Sequence, residues 1–245
     1  MAEEDKPMGI WDHLTELRGR LFKALIALVI TTLISFATAD RFVEILAMPV
    51  GGTEALISIE VTENVQTFMR VALLSGFILA LPIILYELLS FILPGLTRSE
   101  KRWVYISIPL ATLLFVAGVV FAYFVMLPTA LPFLISFMGI KTTPRLINYF
   151  NFVTNLLFWI GVSFETPLFV FLLAKLRFIS ARTLAKQWRI AIVVIALLSA
   201  VITPTPDPVN MGLLMLPLFA LYLMSIGFAW VARRGEELPE KTRAL

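Results

Sequence analysis

Six predominantly apolar stretches divide this chain, and nothing else in it limits the possible folds so sharply. They cover residues 21–38, 71–93, 103–127, 149–174, 190–202 and 209–232. A helix that crosses a bilayer needs about 20 mostly apolar residues, with a range of roughly 17–25. Five of the stretches meet that requirement, and 190–202 is short for it. Composition agrees. Of the 245 residues 59% are hydrophobic and 15% charged, against about 45–50% and about 25% in a soluble domain. The expected fold is an all-α polytopic membrane protein, a bundle of six transmembrane helices. The first stretch does not read as a cleaved signal peptide: it is long, it lacks a convincing small-residue cleavage site, and Lys23 interrupts it. Pro82, Pro109, Pro167 and Pro217 each interrupt a span. Such prolines either bend the bundle around a concave face or fill awkward packing positions.

Lysine and arginine set the orientation. Of the 20 in the chain, only Arg41, Arg70, Lys141 and Arg145 fall on one side; the other 16 fall on the side of the termini and the even-numbered connections. By the positive-inside rule both termini are cytoplasmic. The chain then divides into a cytoplasmic amphipathic N-terminal segment, 1–20, a transmembrane domain, 21–232, and a cytoplasmic tail, 233–245. The basic residues stand at the ends of apolar runs and the net charge is only +3, so they read as topology and not as a nucleic-acid footprint. There is no cysteine, and His13 is the single histidine. Disulfides, thiolate chemistry and multi-histidine metal sites are excluded, and no cofactor is expected.

The outer connections differ in kind. "RFVEILAMPVGG" reads as a short amphipathic helix stopped by Pro49 and Gly51–Gly52. "TEALISIEVTENVQTFMRV" reads as a helical stretch extending the second span. Between the third and fourth spans, the apolar patch at 133–138 is too short to span and reads as an interfacial helix or cap. "TPTPDP", before the last span, is a rigid turn.

Few side chains offer chemistry. Glu165 lies inside the apolar run "FWIGVSFETPLFVFLLAKLRF". A carboxylate there is costly unless it is protonated, paired, or open to a wet cavity. Thr154, Asn155, Ser163 and Thr166 are polar neighbours able to hydrogen-bond it. It either ties two helices together or forms a functional polar site in a concave face. Glu87, nearer a span end, is either wet or paired with a loop arginine. Asp207 is a turn residue or a cap for the last span. In "MGIWDHLTELRGRLFKAL", Ile10, Leu14, Leu17 and Leu21 recur at helical spacing, and Asp12, Glu16 and Arg20 follow one another at i, i+4 and i+8. With Glu100 in the next cytoplasmic loop, Glu16 either neutralises local arginines or contributes to an acidic patch for a basic ligand. No Walker loop, zinc motif or nucleophile elbow is present, so no enzyme is expected.

"HLTELRGRL" (13–21), "PGLTRSEKR" (94–102), "FETP" (164–167) and "TPTPD" before a proline-broken last helix together resemble the TatC family, the core subunit of the twin-arginine protein translocase. The resemblance covers essentially the whole chain. It implies a receptor and assembly core that binds the twin-arginine signal peptides of folded cargo at its cytoplasmic face. It places Glu16 and Glu100 as the recognising carboxylates, with Arg18 and Arg102 beside them in the same motifs. It places Glu165 as the intramembrane glutamate and Asp207 as the outer-loop aspartate. Implied partners are single-span TatA- and TatB-like proteins, the lipid bilayer and other copies of the chain, in the cytoplasmic (inner) membrane of a prokaryote, with transport driven by the protonmotive force. The chain departs from the family at Glu87, where glutamine is common, and at Met211 and Leu223, often polar. The competing reading is an ion-coupled secondary transporter with Glu165 as an intramembrane proton site.

Overall fold

The computed structural model describes residues 10–91, 93, 98–136, 142–203 and 208–233. The first helix, α1 (Ile10–Phe36), runs without a break from its charged first turns into its apolar length, and it contains no proline to interrupt it. A short amphipathic helix, α2 (Ala39–Ala47), follows and ends in a tight turn carrying Pro49 and then Gly51, whose φ of +104° is left-handed and suits glycine. The chain then crosses this end of the bundle and enters α3 (Glu63–Ser90). This helix starts later than its sequence suggests. The Glu63 carboxylate reaches back to the N–H of Glu60, 3.0 Å away, and fixes the start there.

The helix α4 (Arg98–Phe121) passes through one wide π turn, Ala122–Met126, directly into α5 (Leu127–Ile135). The expected interfacial helix at 133–138 is thus corrected as far as Ile135: these residues continue the third apolar helix. The reason is local. Pro128 and Pro132 lack N–H donors and crowd the preceding carbonyls, and the π turn opens the ladder where the first of these clashes would fall. Next come α6 (Leu146–Phe164) and α7 (Thr166–Lys175), separated by Glu165 alone, with Pro167 tolerated in the first turn of α7. The short α8 (Ala181–Lys186) is capped by the Ser180 hydroxyl, which accepts the Thr183 N–H at 3.1 Å. Finally α9 (Trp188–Ile202) and α10 (Pro208–Arg233) pack on each other. The "TPTPDP" turn at 203–208 lies mostly outside the described residues.

Small residues set the closest approaches. The helices α1 and α3 run antiparallel: Arg20 meets Glu87, Thr31 meets Gly76 and Phe36 meets Phe68. The Thr31 hydroxyl donates to the Gly76 carbonyl at 2.8 Å, and a Cβ on Gly76 would sit 2.5 Å from the Thr32 Cα. The helices α4 and α6 cross at Gly118 and Gly161, where a Cβ on Gly118 would lie 2.9 Å from the Gly161 Cα. Close backbone approach is the usual source of helix association in lipid, where burial of apolar surface offers no drive. The core holds Phe115, Leu127, Phe150, Val153, Ile160 and Leu214, all almost fully buried. Outside it, Leu33, Leu113, Val201 and Leu216 are more than 60% exposed. That girdle would be costly in water and costs nothing in hydrocarbon. Among the described residues five helical segments are long and apolar enough to cross a membrane, Trp11–Phe36, Glu63–Ser90, Lys101–Ile135, Leu146–Lys175 and Met211–Ala232, and Trp188–Ile202 is a shorter apolar helix.

Candidate functional site

The charged turns of α1 meet the last turns of α3. His13 stacks on Phe91 with ring centroids 4.0 Å apart. One turn on, Glu16 Oε1 accepts two hydrogen bonds from Arg20, from Nε at 2.8 Å and Nη2 at 2.6 Å. The i, i+4 spacing on one helix dictates this pairing. Arg20 Nη1 lies 3.4 Å from Glu87 Oε2 on α3. Glu87 is therefore paired, though its partner stands on α1 and not on a loop. All three side chains are shielded: 21% exposed for Glu16, 23% for Arg20 and 11% for Glu87. The second oxygen of Glu16, Oε2, is buried and accepts no hydrogen bond among the described residues; His13 Nδ1 stands 3.8 Å from it. Two carboxylates thus share one guanidinium, and one buried acceptor has no hydrogen-bond donor among the described residues. Chemically this suits recruitment of a further N–H-rich cation.

The other sequence-derived residues are distributed around and away from this cluster. Arg18 and Arg102 are exposed and make no hydrogen bond or ion pair among the described residues. Glu100 stands in the first turn of α4, and its side chain lies outside the described residues, as does all of Asp207. Glu165 is half-buried at the α6–α7 break, and its carboxylate has no hydrogen-bond or ion-pair partner among the described residues. Two of its expected neighbours are engaged elsewhere: Thr154 Oγ1 and Asn155 Oδ1 accept from Arg70 at 2.7 and 2.9 Å. The Ser163 hydroxyl donates to the Trp159 carbonyl.

A second ionic cluster holds the opposite end together. Arg145 donates to Glu63 Oε1 at 2.7 Å and to Glu60 at 2.6 Å, and Glu63 is 1% exposed. The backbone reinforces the clasp, with Ile57 N–H on the Pro144 carbonyl at 3.1 Å and Leu146 N–H on the Ile57 carbonyl at 2.9 Å. The Arg145 guanidinium holds the Glu63 carboxyl below the usual carboxylate range, and Glu63 in turn raises Arg145. Tyr149 and Tyr123 donate to the carbonyls of Leu46 and Ile45, each at 2.7 Å, pinning α2 to the bundle. Sequence reading missed this clasp, since its partners lie 82 and 85 residues apart. The one available signal was Glu63 standing three residues after Glu60 at a helix start.

Fold and charge distribution together define a class: an all-α, multi-pass membrane protein with a shielded carboxylate–guanidinium cluster at one membrane face. The family model described as Sec-independent protein translocase protein (TatC) matches residues 12–217. The chain is 40% identical to the Sec-independent protein translocase protein TatC of Carboxydothermus hydrogenoformans over 229 residues, which cover 92% of this chain and 94% of that one. It is 36% identical to the protein of the same name from Deinococcus radiodurans, over 91% and 86% of the two chains. Among solved structures it is similar to a crystal structure of a twin arginine translocase receptor TatC, with TM-score 0.78, 35% identity and coverage of 91% of this chain and all of that one. A second such crystal structure, in DDM, matches at TM-score 0.80 and 34% identity over 89% of this chain and 99% of that one. The chain belongs to the TatC family.

Proposed function

We propose that this protein is the receptor and assembly core of a twin-arginine translocation system, a transport component and not an enzyme. The single observation that carries the reading is the buried Oε2 of Glu16, which accepts no hydrogen bond among the described residues, near the start of α1 and inside a cluster where two carboxylates share one guanidinium. An arginine presents five N–H donors at permanent charge, and its planar fork matches a carboxylate in a way that lysine does not. Glu16 and Glu100 recognise the arginine pair of a signal peptide. Arg18 and Arg102, exposed beside them, help to define the edge of the site. The apolar part of the peptide then lies along the concave face of the bundle toward Glu165, and Asp207 belongs to the outer turn.

In this proposal there are six spans, with α9 as the short one, and both termini lie in the cytoplasm of a prokaryote. The 16-to-4 split of basic residues supports that orientation. Single-span TatA- and TatB-like partners and further copies of the chain dock on exposed apolar faces such as that of α9, and the protonmotive force drives transport.

Titration of the detergent-solubilised protein with a twin-arginine peptide and its twin-lysine counterpart tests the reading. The arginine peptide is expected to bind more tightly. Glu16→Ala and Glu100→Ala should each weaken it by about 1.5–3 kcal/mol, the usual worth of a hydrogen bond to a charged group. Equal affinity for wild type and the double variant rules the proposal out.

A further inference from the structure

We propose that Arg20 is an internal competitor for the carboxylate of Glu16, and that Glu87 is the seat it moves to when a ligand arginine arrives. This rests on the receptor reading above and adds to it a displacement step and two residues, Arg20 and Glu87.

Arg20 carries the same guanidinium that the ligand would bring. It holds Glu16 imperfectly: both of its donors, Nε and Nη2, converge on Oε1, while Oε2 is buried without a hydrogen bond. A guanidinium and a carboxylate at their best use two parallel bonds to two oxygens. Arg20, held one turn away on the same helix, does not adopt that geometry here. A peptide arginine has no such constraint. It can take the fork-to-fork arrangement and use the free oxygen.

Displacing Arg20 into a shielded site with nothing to pair it would be costly. The structure removes that difficulty. Glu87 is 11% exposed and already lies 3.4 Å from Nη1, so a side-chain torsion suffices to move Arg20 fully onto it. Formal charges agree. Two carboxylates and one guanidinium leave one negative charge in excess, which a single incoming cation neutralises. In the bound state Glu16 holds the ligand and Glu87 holds Arg20, each ion with its own partner.

The exchange predicts a pattern of affinities that a merely structural Arg20 does not. Removing the competitor in Arg20→Gln should tighten twin-arginine peptide binding about two- to fivefold, the range of a weak, partly exposed ion pair. Removing the alternate seat in Glu87→Gln leaves Arg20 no place except Glu16, and should weaken binding by a similar factor. In Arg20→Gln/Glu87→Gln the Glu87 effect should vanish, because no competitor remains to be seated. Peptide titrations on wild type and the three variants, each with its unfolding temperature in detergent, read this directly. Should Arg20→Gln not fold, Arg20→Lys keeps the charge and loses the fork, and should also tighten binding. Weaker binding by a folded Arg20 variant means that Arg20 positions Glu16, and overturns the proposal. A Glu87→Gln loss that persists in the double variant means that Glu87 attracts the ligand itself, and also overturns it. A wild type with no preference for arginine over lysine peptide overturns the receptor reading and the competitor together, whereas a selective wild type with unchanged variants overturns the competitor alone.

Discussion

Glu165 occupies the single residue between α6 and α7, where the backbone ladder is interrupted ahead of Pro167. Its carboxylate has no partner among the described residues, and Thr154, Asn155 and Ser163 are bound to Arg70 or to backbone. A group in that state is available to a ligand, a partner helix or a proton. If it serves as a hydrogen-bonding contact, Glu165→Gln should keep partial transport while Glu165→Leu abolishes it; a transport assay on both, with assembly checked, decides. Equal loss in the two variants points to proton exchange. Glu63 gives a second prediction, with a definite sign. Its carboxyl is lowered from an ordinary value of 4.5 by the Arg145 hydrogen bond. The stability it contributes is therefore complete above that ordinary value and is lost as pH falls through the lowered one. Unfolding temperatures measured from pH 7 down to pH 3 should decline at the acid end, and Glu63→Gln should be less stable at neutral pH with a flatter acid decline. A variant that keeps the wild-type slope excludes Glu63 as its source.

At the scale of elements, the α1–α3 and α4–α6 pairs depend on glycine in ways that hydrophobic patterning does not show. Gly76 lies against the backbone of Thr32, which cannot rotate aside as a side-chain tip would. Gly76→Ala should force α1 away from α3 at a cost of about 1–3 kcal/mol, typical of overpacking, and lower the unfolding temperature in detergent. Gly212 on α10 is the matched control, since a Cβ there meets nothing within 4 Å. Gly212→Ala should be neutral or stabilising by up to about 1 kcal/mol through helix propensity. If the two variants melt alike, close approach at Gly76 is not what holds α1. Because α1 carries Glu16 and Arg20 while α3 carries Glu87, this contact also sets the geometry of the Glu16–Arg20–Glu87 cluster.

For the whole molecule, the mismatch of α9 with a bilayer matters most. Its 15 residues extend about 22 Å at 1.5 Å per residue, against a hydrocarbon core of about 30 Å. Most of its surface is apolar and open: Ile190, Val193, Leu197 and Val201 are all more than half exposed. Arg189, packed over the Trp188 ring at 5.6 Å, anchors its start near the polar boundary. As a sixth span, the reading proposed above, α9 would leave this difference to be absorbed by thinning, snorkelling or partner helices. We expect a locally thinned bilayer beside α9 and α10. Spin labels along 190–202 and 209–220 in liposomes should report water access closer to the midplane than on α3. Burial of both segments across a full 30 Å refutes thinning. Lengthening α9 by four leucines tests its use: unchanged transport in a correctly inserted variant makes the short helix a packing feature only.

The sequence by itself determined the helical class and the i, i+4 register of Glu16 with Arg20. These follow from local rules: apolar length, a 3.6-residue period, and glycine and proline at the stops. The amphipathic helix before Pro49 and Gly51 was legible for the same reason. Tertiary structure decided what local rules do not encode. The third apolar stretch was read as ending at 127, before Pro128 and Pro132, yet a π turn carries the helix through them. Thr154 and Asn155 read as companions of Glu165, yet Arg70 on α3 takes them. Glu87 joins Arg20, and Glu63 joins Arg145, across 67 and 82 residues. Which charge meets which at such distances depends on how helices cross, and the crossings are set by backbone contact at Gly76, Gly118 and Gly161, a three-dimensional property that no periodicity along the chain expresses.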